Sequence, residues 1–171
     1  MTLRLKMTRA ALGICLGSLV ASVGFAQGAS VSLGVKDHDS SIPVEITSEN
    51  LELDQDGGTA IFDTDVFVRQ GDMTITSDKM RVEYAEDETT GRDEIQQIVM
   101  TGGVTFASPT ETAESDTAVY ILASELIIMT GNVLVTQGRT ALSSDKLTYN
   151  LNNGQGQMEG NVKTVLQQAN N

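Results

Sequence analysis

The residues of this chain whose types could do chemistry are 23 carboxylates, one histidine (His38) and one cysteine (Cys15). Carboxylates act as acid–base pairs or as ligands for a hard cation only where two or more converge. An imidazole needs a second ligand or an orienting partner, and a thiol needs a setting that favours the thiolate. No spacing here supplies these. His38 stands in polar text with no candidate ligand beside it and reads as solvent-exposed. Cys15 lies inside an apolar run near the start of the chain. The densest acidic stretch, residues 85–94, reads as a solvated loop, because nothing in its spacing fixes carboxylates in coordinating geometry. A phosphate-binding glycine loop is also absent. The sequence therefore points to no catalytic residue, no metal and no cofactor, and the protein is not expected to be an enzyme.

The chemistry left is apolar binding, and its candidates fall into columns. Aligning the repeated text puts Phe62 with Met100, Met129 and Met158. It puts Val66 with Val104, Val133 and Val162, and Val68 with Phe106, Val135 and Thr164. The return segments add three more columns. Ile46 aligns with Ile75, Ala113 and Leu142; Leu51 with Met80, Ala118 and Leu147; Leu53 with Val82, Tyr120 and Tyr149. Methionine is soft and accommodates irregular apolar ligands. Two readings stay open: an ordinary filled core, or a greasy trough between sheets that part along one margin. Periodicity does not choose between them.

Elements that could position such columns are readable from the spacing. Val66, Val104, Val133 and Val162 are separated by 38, 29 and 29 residues. Ser48, Ser77, Ser115 and Ser144 are separated by 29, 38 and 29. Two landmarks thus share one period and lengthen in the same copy, which carries the 85–94 insert. Such a period marks a repeat architecture, in which no unit buries its apolar face alone. From Pro43 onward the apolar pattern has period two, the mark of half-buried strands. Eight antiparallel arms are expected, over 43–53, 59–69, 73–84, 95–106, 111–122, 126–136, 140–151 and 157–166. Parity slips by one at each Ser-Asp pair, where a slip without a bend would invert the strand's faces. A second landmark column, Thr64, Gly102, Gly131 and Gly160, marks a bend in the outgoing arms. Each arm should therefore fold over a corner, giving two facing sheets and about sixteen short strands. The fold expected is all-β: a folded two-sheet solenoid of hairpin repeats, open along one side, over residues 43–166.

The flanks read differently. Arg4, Lys6 and Arg9 precede an apolar run from Ala10 to Val20 and small residues at Gly24-Phe25-Ala26, the pattern of a secretory signal peptide cut after Ala26. Residues 27–42 read as a flexible leader and 167–171 as a disordered tail. Past Ala26 there are 8 basic and 23 acidic residues, a balance of −15. Such a charge argues against nucleic acid, whose phosphates require a cationic surface. A stack of hairpins also has two unpaired edges, near 44–46 and 162–166, and exposed edges invite strand addition.

The segments Thr130-Gly131-Asn132-Val133 and Thr101-Gly102-Gly103-Val104 carry a family resemblance. They continue with Val135-Thr136-Gln137-Gly138 and with the Ser-Asp-Lys-Met/Leu turns at 77–80 and 144–147. Behind a signal peptide, this ordered set resembles the LptA/OstA-like lipopolysaccharide-transport bridge family. The resemblance implies a periplasmic β-jellyroll whose trough carries the acyl chains of lipopolysaccharide. It implies head-to-tail joining of like domains, from an LptC-like inner-membrane protein to an LptD-like outer-membrane protein. It also implies cations near the mouth for the cargo's phosphates, for which Lys79, Arg81, Arg139 and Lys146 are candidates. An LptC-like adaptor that retains its N-terminal anchor and a structural solenoid with a dry core are the alternatives.

Overall fold

The computed structural model describes residues 29–31, 42–86, 91 and 93–166. The signal-peptide segment, most of the leader and the tail lie outside them. The eleven described strands are β1 (Ala29–Val31), β2 (Glu45–Thr47), β3 (Asn50–Asp54), β4 (Thr59–Gln70), β5 (Met73–Glu86) and β6 (Asp93–Ala107), then β7 (Glu111–Ile121), β8 (Leu126–Gln137), β9 (Thr140–Asn150), β10 (Gln155–Glu159) and β11 (Lys163–Leu166). They form one antiparallel sheet in the order β1-β10-β9-β8-β7-β6-β5-β4-β2, with β3 also on β4 and β11 also on β9. Short connections between consecutive strands dictate the antiparallel sense.

The expected corners are present as a line of bulges. Register shifts fall between Asp63 and Val66, Thr76 and Lys79, Thr101 and Val104, Glu114 and Thr117, and Thr130 and Val133. Six central arms run through this crease as single bent strands. Only the outermost arms break there, into β2 with β3 and β10 with β11. Counting bent strands once, the eight arms give ten strands rather than sixteen; the eleventh, β1, comes from the segment expected to be a flexible leader. One sheet folded on itself takes the place of two separate sheets.

Outgoing arms turn the crease with two consecutive left-handed residues: Thr64-Asp65, Gly102-Gly103, Gly131-Asn132 and Gly160-Asn161. At Gly102, Gly131 and Gly160 an added Cβ would overlap the carboxylates of Asp78, Asp116 and Asp145 respectively. Glycine there serves both the positive φ and the close approach. In the return arms the serine hydroxyl turns back on its own strand. Ser48, Ser77, Ser115 and Ser144 each donate to the carbonyl two residues on, at 2.8, 3.2, 2.9 and 2.9 Å. Ser77, Ser115 and Ser144 are buried, and this bond satisfies a hydroxyl that burial would otherwise penalise.

Inside the crease lies one core. Val66 and Val68 from one half of β4 and Met80 and Val82 from the far half of β5 belong to the same buried cluster. A side chain of this size, fully buried, contributes about 1.5–3 kcal/mol relative to exposure. The 85–94 insert lengthens a hairpin: Ala85 pairs with Glu94 and Glu86 with Asp93. Residues 87–90 and 92, between them, lie outside the described residues. The link after β7 is a 3-10 turn, Leu122–Ser124, closed by Glu125 at φ 52°.

Candidate functional site

The apolar columns become rows that cross the sheet in register. One row runs Leu51, Phe62, Met80, Met100, Ala118, Met129, Leu147, Met158, each the ladder partner of the next. A second runs Leu53, Ala60, Val82, Ile98, Tyr120, Ile127, Tyr149. On the other side of the crease the row is Ile46, Val68, Ile75, Phe106, Ala113, Val135, Leu142, Thr164. Val66, Val104 and Val133 face the crease beside the buried serines.

Burial varies along these rows in a definite way. Met80, Met100, Ala118, Met129, Leu147 and Met158 are at most 2% exposed. Val66, Val68, Ile75, Val82, Val104 and Phe106 are also buried. Phe62 and Ile46 are partly buried and pack against this cluster. Leu51 and Leu53, expected among the lining residues, are 54% and 65% exposed. They have the expected parity but lie on β3, which pairs only with β4 among the described residues, so nothing covers the end of their rows. Val162 and Thr164 were expected in inward columns and are exposed for the same reason at the opposite end. Ile98 and Ile127 belong to the second row although the column alignment passes over them. Their signal is parity, two residues before Met100 and Met129.

Apolar side chains are exposed at both ends of the sheet. Val44, Leu51, Leu53 and Tyr84 are exposed at the β2–β3 end, and Val162, Val165 and Leu166 at the β11 end. A cavity of about 520 Å³ at the first end is lined by Leu53, Ala60 and Tyr84, among others.

The cations do not converge on the interior. Lys79 pairs with Asp63 at 2.9 Å, Arg81 with Glu83 at 2.8 Å and Lys146 with Glu159 at 3.2 Å. All three cations alternate with inward residues and so stand on the outer face. Arg139 is exposed in the β8–β9 turn. The expectation of cations gathered at the mouth is therefore not met: neighbouring carboxylates hold three of them along the outside. Hydrogen bonds from Lys79 and Thr64, with the Lys79 charge, keep the Asp63 carboxyl below the usual range. Burial, aided by the Glu125 charge, raises the Tyr120 phenol.

A folded antiparallel sheet with a continuous apolar interior and apolar side chains exposed at both ends defines an open β-jellyroll. Residues 45–165 match the model of the LptA/(LptD N-terminal domain) LPS transport protein family. The chain belongs to that family, whose members are transport proteins rather than enzymes. It is 28% identical over 146 residues to an uncharacterised protein of Rhizobium meliloti, covering 83% of this chain and 78% of that one. It is 29% identical over 119 residues to the lipopolysaccharide export system protein LptA of Escherichia coli K12, covering 65% of this chain and 61% of that protein. Its fold matches the crystal structure of LptH from Pseudomonas aeruginosa, an LptA-homologous periplasmic component of the lipopolysaccharide transport device. That match has a TM-score of 0.65 at 17% identity and covers 77% of this chain and 99% of that one.

Proposed function

We propose that this protein is a periplasmic lipopolysaccharide carrier that holds lipid A acyl chains between the two halves of its folded sheet. Like domains join head to tail through the open ends. The assembled bridge runs from an LptC-like inner-membrane protein to an LptD-like outer-membrane protein. The observation that carries this reading is the methionine-containing row from Leu51 to Met158, continuous through eight strands and apolar at every position. A structural core needs burial but not an unbroken track of one chemistry ending at a joining surface. Flexible methionines at the middle of the track suit acyl chains of varied length.

Burial of Met80, Met100 and Met129 to within 2% implies a closed resting interior. Acyl chains then replace side-chain contacts between the halves, trading one apolar contact for another at little net cost. The same burial suits a structural solenoid with a dry core, and lipid extraction separates the two. Protein isolated from a lipopolysaccharide-producing envelope should yield lipopolysaccharide on solvent extraction, in up to equimolar amount, identified by the hydroxylated acyl chains that acid hydrolysis of the extract releases. A Met129→Glu variant that remains folded should yield none. Lipid-free protein from the same envelope would favour the dry solenoid.

A further inference from the structure

The two ends of the sheet are not equivalent. At one end both half-strands, β2 and β3, pair only with β4 among the described residues, and all five residues of β3 are exposed. At the other end β11 pairs only with β9, and its four residues are exposed. Its neighbour β10 is paired on both sides. On its outer side lies β1, from the amino-terminal leader, with Ala29 opposite Met158, Ser30 opposite Gln157 and Val31 opposite Gly156. Correspondingly Met158 is 0% exposed while Leu51, at the far end of its row, is 54% exposed. The chain thus covers half of one edge with its own leader and leaves three half-edges open.

We infer that β1 is a displaceable guard on β10, and that the strand replacing it is β3 of a second copy of this chain. This rests on the head-to-tail joining proposed above. Three features on the molecule support the exchange. β3 offers five residues where β1 offers three, so the incoming strand makes the longer ladder. Leu51 and Leu53 of β3 extend the rows that end beside β10, so their burial is gained only in the joined state. The adjacent half-edge is already open for first contact, because β11 pairs only with β9 among the described residues, and its Lys163 is complementary to Glu45 of the incoming β2. Joining would begin on β11 and finish when β3 displaces β1. Until then the guard protects an unpaired edge against indiscriminate strand addition.

The test locks and unlocks β1 in otherwise complete protein. With Cys15→Ser as background, Ser30→Cys and Gln157→Cys place thiols on directly paired residues, within the span a disulfide bridges. Ser30→Pro instead removes a strand amide and disfavours pairing. Association is read by sedimentation over a concentration series. Ser30→Pro should associate at about tenfold lower concentration than the parent, the scale of one or two ladder hydrogen bonds. The oxidised double-cysteine protein should associate at least about tenfold more weakly than its reduced form. Equal association of locked and unlocked forms overturns the guard, as does a disulfide that forms only between copies. If association persists in both and Leu53→Pro abolishes it, joining stands and the guard alone fails. If no form associates, head-to-tail joining fails and takes the guard with it.

Discussion

The Asn132 side-chain amide donates to Asp116 Oδ2 at 2.9 Å, tying the outgoing arm β8 to the return arm β7 across the crease. The same bond recurs one unit later, from Asn161 to Asp145, also at 2.9 Å. In the copy between Thr101 and Val104 the asparagine position holds Gly103, at φ 69° with open space around a notional Cβ. Asn tolerates a left-handed backbone better than most residues. Gly103→Asn should therefore restore the missing tie to Asp78 and restrict the unfolded chain, stabilising the fold by about 0.5–1.5 kcal/mol. Urea unfolding measures it; a loss of stability would show that the tie is not what shapes the crease.

The glycine beside that tie behaves oppositely. Gly131 sits at φ 82° against Asp116. Gly131→Ala should cost at least about 1–2 kcal/mol from the left-handed backbone alone. Combining it with Asp116→Ala should recover the part due to overlap. Full additivity in the double mutant would mean that the close approach contributes nothing.

One row yields two different costs. Met129→Ala, at a position 2% exposed, should destabilise by about 2–5 kcal/mol. Leu51→Ala, in the same row but 54% exposed, should change monomer stability by no more than about 0.5 kcal/mol. Its effect should appear in self-association, measured by sedimentation, which weakens when the exposed leucine is removed.

Alkaline stability should depend on Tyr120. Its folded pKa is raised by burial first and by Glu125 second, so the folded state favours the protonated phenol. That contribution is present below the unfolded tyrosine value of about 10 and is lost as pH rises through the folded value. Tyr120→Phe should flatten the alkaline limb of a melting-temperature profile and leave the range from pH 6 to 8 unchanged. An unaltered limb would place the transition elsewhere.

Much of this fold was readable because period-two parity and a long repeat report different things. Parity assigns Val66, Met100, Val133 and Leu147 to the interior, and the structure buries all four. The repeat then aligns the crease: the aspartates that follow Ser77, Ser115 and Ser144 lie against the glycines that bend. What parity does not report is position within the stack. Leu51 and Met80 look alike in their columns, yet one lies on an edge strand and the other has ladder partners on both sides. Exposure at an end is set by the neighbour that is missing. The guard strand was unreadable for a related reason. Three residues in Ser- and Gly-rich text carry no strand signal, and their pairing with β10 spans most of the chain in sequence. The insert misled because its acidic composition resembles a loop, although both of its ends continue the β5–β6 ladder.

Val133 and Leu134 supply the most direct comparison of interior and exterior. They are adjacent on β8, with Val133 1% and Leu134 37% exposed. A photo-crosslinking residue at Val133, or at Met129 in the neighbouring row, should capture lipopolysaccharide in the intact envelope, and one at Leu134 should not. Capture from Leu134 alone, with Val133 and Met129 silent in folded protein, would contradict carriage of the cargo between the halves of the sheet.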